Sequence, residues 1–169
     1  MAVERTEPPY RRDERAMLEA WLEYHRATLE MKCDGLSTDQ LREQSVPPSS
    51  LSLLGLVRHM AEVERSWFRR TLAGEDAGYI YCTDDDIDAD FDRVDTADPD
   101  EAFATWRAEC ARARENAAAV DSLDAVGLWK RTGEDVSLRW IYVHMIEEYA
   151  RHNGHADLLR ERIDGATGD

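Results

Sequence analysis

Four stretches of the chain repeat apolar residues at helical spacing, with polar breaks between them. After Pro8-Pro9, Leu18, Leu22, His25 and Leu29 recur at intervals of 4, 3 and 4 with Trp21 beside them, which marks one face of a helix ended near Asp34-Gly35. After Pro47-Pro48, Ser49 or Ser50 is placed to cap a second helix, whose seam is Leu53, Leu56, Met60, Val63 and Trp67 and which runs until Gly74. Asp98 followed by Pro99 reads as the N-cap and first residue of a third, with Phe103, Trp106, Cys110, Ala113, Ala117 and Val120 as its seam. Ser137 is set to cap a fourth, which runs to about Asp164-Gly165.

These segments, with no credible long strand, predict an all-α four-helix bundle, because each stripe is stable only when buried against the others. A chain of 169 residues is about one domain long, so residues 1–169 are expected to form a single domain. The first and last connections are expected to be about ten to fifteen residues. The acidic connection at about 75–97, between the second and third helices, is long enough to cross the height of the bundle.

Charge narrows the partners. The 36 Asp and Glu against 21 Lys and Arg leave a net charge of −15, which repels phosphate backbones and acidic membrane surfaces, so no nucleic-acid or membrane partner is expected. No stretch approaches the roughly 18 to 20 apolar residues of a membrane span, and the N-terminus has no signal-peptide core. Cys33, Cys82 and Cys110 form no CxxC pair and fit reduced thiols, so a cytoplasmic protein is expected. Asp84 to Glu101 holds ten acidic residues and one arginine, −9 of the −15. Asp84, Asp86, Asp88 and Asp90 alternate as calcium ligands do, but the loop lacks glycine at its sixth position and has Asp95 at its twelfth. A solvated acidic loop is the expectation.

The fourth helix breaks the pattern. Its seam runs Leu138, Ile141, Met145, Glu148, His152, His155 and Leu159, so three consecutive core positions are ionisable. Burying a carboxylate and two imidazoles costs several kcal/mol unless each finds a partner, and a cation compensates all of them at once. Residues four apart on a helix lie one turn apart, so Glu148 and His152 converge on a point, whereas Glu147 points elsewhere. A third ligand is expected from the second helix, whose single histidine is His59. His59, Glu148 and His152 suit Zn²⁺, with Ni²⁺, Fe²⁺ or Mn²⁺ as alternatives, and leave a coordination position for water or substrate.

Other candidates read as structural. A single histidine near a seam is more often a hydrogen-bonded core residue, and that is the reading for His25. His155 is a further ligand, a residue that orients a ligand, or part of the open face, with the last two favoured; His144 is another that could support Glu148. Tyr24, Tyr142 and Tyr149 read as packing or rim residues. Cys110 has Arg107 and Arg114 one turn away but no histidine base on its helix, so it reads as packing. There is no nucleophile elbow, phosphate-binding glycine loop or HExxH.

The strings LLGLVRHMAEVERSWF (53–68) and WIYVHMIEEYARHNGHADLLRERIDG (140–165) resemble the DinB/YfiT-like superfamily, more narrowly its DUF664 (mini-circle protein) branch. The resemblance covers nearly the whole chain and implies a four-helix bundle of up-down-down-up arrangement. It also implies a metal site built from a histidine on the second helix and two residues four apart on the last. Many members use three histidines, whereas the maleylpyruvate isomerase relatives use His, Glu and His, a pattern matched here by His59, Glu148 and His152. Relatives use a low-molecular-weight thiol, mycothiol or bacillithiol, in isomerase or S-transferase reactions. The isomerase has an additional C-terminal domain that contributes to its active site, whereas this sequence ends at Asp169, so isomerisation is not the expected reaction.

The expected function is therefore a zinc-dependent S-transferase that conjugates mycothiol to a small electrophile, with His155 orienting the incoming group. The alternative is a non-catalytic metal-binding bundle, structural or a stress-response homodimer. A fourth protein ligand such as His155 would favour that alternative, and an open coordination position the enzyme.

Overall fold

The computed structural model describes residues 3–168, so Met1, Ala2 and Asp169, the ends of the expected domain, lie outside it. The chain is mostly helical, with one small two-stranded sheet. The first predicted helix is α1 (Glu14–Cys33), started by the Asp13 side chain accepting from the Ala16 N–H. A short helix that the periodicity missed, α2 (Thr38–Arg42), follows, held by a reciprocal cap between Ser37 and Gln40.

The second predicted helix is α3 (Leu53–Glu64) and a π-helical continuation, Arg65–Leu72. Its cap is Ser52, not Ser49 or Ser50: the Ser52 hydroxyl accepts from the Gly55 N–H, while Ser49 Oγ is used by the Leu51 N–H in the preceding turn. Within the π-helical stretch the adjacent residues Trp67 and Phe68 are both buried.

The short helix α4 (Ala89–Asp92) lies within the acidic connection, and α5 (Pro99–Ala118) has the expected Asp98 cap and Pro99 start. Between α5 and α6 the structure forms an antiparallel hairpin, β1 (Val126–Trp129) with β2 (Glu134–Ser137), in register Val126 to Ser137. Gly133 turns it at φ +75°, a conformation open to glycine. Gly127 is required for another reason, since a Cβ there would sit 2.1 Å from the Thr71 carbonyl oxygen. The hairpin thus lies directly on the π-helix. Because α2 and this hairpin occupy the first and last connections, both are longer than expected. The last helix, α6 (Leu138–Asp164), starts at the Ser137 cap and ends on left-handed Gly165.

Cross-helix pairs give the directions. Glu14–Arg139, Glu19–Tyr142 and Lys32–Asp157 follow one another in the same order along α1 and α6. Glu30–Arg107 and Glu23–Arg114 run in opposite order along α1 and α5, and Glu64–Cys110 and Phe68–Asn116 in the same order along α3 with its continuation and α5. The core between them is built from Leu22, Leu29, Leu56, Met60, Trp106, Ile141, Met145 and Leu159, all at most 2% exposed.

The acidic connection corrects an expectation. Asp84, Asp85 and Asp88 are exposed, but Ala89, Asp90 and Val94 are buried against α3, where Arg58 donates to the carbonyls of Ala89 and Arg93. Further along α3, Glu62 Oε1 accepts from the N–H groups of Ile80, Tyr81 and Cys82 at 2.6–3.0 Å and pins the segment's entry. The alternating aspartates do not gather as a calcium loop: Asp86 pairs with Arg93 and Asp90 with His59.

Candidate metal centre

The periodicity of α6 places Glu148 and His152 one turn apart on its inward face, and α3 carries His59 to the same place. One donor atom from each of the three lies within 4.8 Å of the others. His152 Nε2 is 3.5 Å from Glu148 Oε2, longer than a strong charge-assisted hydrogen bond. Two ligands about 2.0–2.2 Å from one tetrahedral zinc are separated by about 3.3–3.5 Å, so the spacing suits a shared cation. The donor set of one carboxylate and two imidazoles fits the same group of metals.

Each donor is oriented. Asp90 Oδ2 lies 2.8 Å from His59 Nδ1, accepts its proton in the neutral ring, and so leaves Nε2 as the lone-pair nitrogen. Asp90 is itself 2% exposed and fixed through Oδ1, which accepts from the Phe91 N–H at 2.9 Å. The Phe91 ring stacks on His59 at 4.3 Å between centroids. The interaction with His152, reinforced by the imidazoles of His144 and His59, lowers the Glu148 pKa against the opposing effect of burial, so the carboxylate form prevails.

His155 does not join the trio. Its Nδ1 lies 3.4 Å from Nδ1 of His152, on the ring edge away from the nitrogen that meets Glu148. Burial, then the nearby His152 and Arg151, lower its pKa and favour the neutral ring. His144 stands 3.6 Å from Glu148 Oε1 and stacks on Trp140 at 4.8 Å. Glu147 is exposed and pairs with Arg151. His25 is half-buried beside Asn153, whose side-chain amide donates to the His25 carbonyl, 3.0 Å away.

His59 and Glu148 open onto a cavity of about 710 Å³, within the range of small-molecule sites. Its wall follows the π-helical continuation of α3 through Ser66 and Trp67 to Arg70, and β1 and the hairpin turn add Trp129, Lys130 and Arg131. Sequence reasoning missed Asp90, Trp129 and the turn residues. Nothing in an acidic run singles out one aspartate, whereas Val126-Gly-Leu-Trp129 followed by Gly133 did carry a hairpin signal.

The family described as Mycothiol-S-transferase matches residues 17–165, a span that contains His59, Asp90, Glu148, His152 and the hairpin. Comparison with curated proteins finds no match.

Proposed function

We propose that this chain, which belongs to the mycothiol S-transferase family, is a metal-dependent enzyme that conjugates mycothiol to a small electrophile, with zinc held by His59, Glu148 and His152. The reading extends to a single domain over 1–169, the DUF664 branch, a cytoplasmic setting and an up-down-down-up four-helix bundle. The cross-helix pair orders of α1, α3, α5 and α6 support that arrangement. Among the described residues no helix is long and apolar enough to cross a membrane.

The carrying observation is that two of the three clustered donors face a cavity large enough for a thiol and its partner. A divalent cation bound there would lower the pKa of a coordinated thiol, as it does for bound water, and so supply a thiolate near neutral pH. The residues of the chain do the rest. Asp90 holds the His59 tautomer, and His155 steadies His152 from its other ring nitrogen. Trp67 and Trp129 give the electrophile an apolar wall. In the substitution, the sulfur–carbon bond forms as the leaving group departs with its bonding electron pair, and the thiol proton passes to solvent.

His155 favours the enzyme over the structural alternative, because it approaches His152 away from the nitrogen that meets Glu148 and so does not act as a fourth donor. Two measurements test the reading. Metal-loaded protein incubated with mycothiol and a panel of electrophiles should yield conjugates by mass spectrometry. Cobalt-substituted protein should gain a sulfur-to-metal charge-transfer band on adding mycothiol, and Glu148→Ala should abolish it. A spectrum that keeps only nitrogen and oxygen ligands at saturating thiol would overturn the transferase mechanism and restore the non-catalytic bundle.

A further inference from the structure

The cavity beside the metal trio is not uniform in charge. Its acids are committed: Glu62 accepts three backbone N–H groups, Asp90 holds His59, and Glu148 meets His144 and His152. Its cations are not. Arg69 on the π-helix pairs with Glu75 and Glu109, yet the next residue, Arg70, makes no ion pair among the described residues and lies over the ring of Tyr79 at 4.9 Å. Lys130 and Arg131, on the hairpin turn, also lack a carboxylate partner among the described residues, although 36 acidic side chains are available to the chain.

Three cations without a carboxylate partner among the described residues line one cavity of a protein with a net charge of −15, Arg70 partly buried and Lys130 and Arg131 exposed at its rim, and together they make a local positive field complementary to an anion. Arg70 follows His59 by eleven positions along α3 and its π-helical continuation, about 16 Å at roughly 1.5 Å per residue. A small molecule can therefore span from the metal trio to the cations, with its body against Trp67 and Trp129. Arginine favours a carboxylate because its fork matches the two oxygens.

We infer that Arg70, Lys130 and Arg131 bind the carboxylate of the electrophile, so that the substrate class is a small organic acid with an aromatic or apolar body. The inference rests on the proposed transferase reading and names its second substrate. Mycothiol carries hydroxyls but no carboxylate, so the cations meet either the electrophile's carboxylate or the thiol's hydroxyls, and the experiment separates the two.

Cinnamate and its neutral amide, cinnamamide, serve as unreactive probes in titration calorimetry on the metal-loaded protein. Cinnamate should bind more tightly than the amide. Arg70→Gln, and separately Lys130→Gln with Arg131→Gln on the exposed turn, should each weaken cinnamate roughly tenfold and leave the amide unchanged. Added salt should weaken cinnamate binding, whereas a field set by the overall −15 would make salt strengthen it. Equal binding of acid and amide, or variants that bind cinnamate like the parent, would overturn the inference. So would displacement of cinnamate by saturating mycothiol from the metal-free protein, which would assign the cations to the thiol. Metal content measured on the same samples keeps the failures apart: a protein that holds no metal at the trio refutes the transferase reading, while the change in cinnamate affinity between parent and cation variants reports on the cations, separately from any carboxylate bound at the metal.

Discussion

Two clusters of ionisable side chains sit one residue apart on α6, and they are built to opposite rules. Around Tyr149 every group finds its partner inside the protein. The Arg26 guanidinium donates to both Glu64 oxygens at 2.8 and 2.6 Å, the Tyr149 hydroxyl donates to Glu64 at 2.8 Å, and Trp106 Nε1 donates to Tyr149 at 2.8 Å. Around Glu148 and His152 the spacings are 3.5 and 3.6 Å and the donors converge. A saturated buried network contributes to one well-defined packing, whereas a convergent cluster with capacity left over is arranged for something the chain does not itself supply.

Breaking the saturated cluster should have the larger effect on folding. Glu64→Ala leaves the buried Arg26 with only the partly exposed Glu23 as its partner and takes away the acceptor of the Tyr149 hydroxyl, and it should cost about 3–5 kcal/mol in chemical denaturation. Glu148→Ala and His152→Ala should instead retain helical circular dichroism and near-parental stability of the metal-free protein while losing bound metal by elemental analysis. Stoichiometric metal in both variants would show that the wrong residues had been chosen. Glu147→Ala, on the exposed face, should match the parent.

Asp90 sharpens the contrast at its edge. Asp90→Asn should weaken metal binding about 10- to 100-fold, because the residue that orients the His59 ring is lost while the ligand stays. Replacing Asp84, Asp86 and Asp88 by Asn should leave metal stoichiometry unchanged and calcium binding absent. The solvated loop expected of this connection thus describes its solvent-facing aspartates and not Asp90, which is buried against His59.

The smallest effect should come from the thiols. Burial pushes the Cys33 and Cys82 pKa values up to about 12 and drives that of Cys110 higher as well. A raised thiol pKa keeps the group protonated and unreactive until pH approaches that value, so alkylation in the folded protein at pH 8 should be far slower than for free cysteine. Rapid modification of any of the three would show that its environment is more open than the packing indicates.

The sequence alone was enough to identify four helices and the inward face of α6. Helical period is a local property, and Leu, Trp and Ala seams at intervals of 3 and 4 report it residue by residue. The same arithmetic brought Glu148 and His152 to one point, and His59 followed as the single histidine on its helix. Its blind spots share a cause. The Ser52 cap, the π winding of Arg65–Leu72, the hairpin pressed onto Thr71 through Gly127, and the pairing of Asp90 with His59 all depend on groups distant in the chain. Which aspartate of an acidic run is drawn out of water, and which cations remain unpaired beside a cavity, is decided by burial and by competition for partners. Those exist only once the helices have packed, because tertiary contact sets the cost of leaving a charge alone.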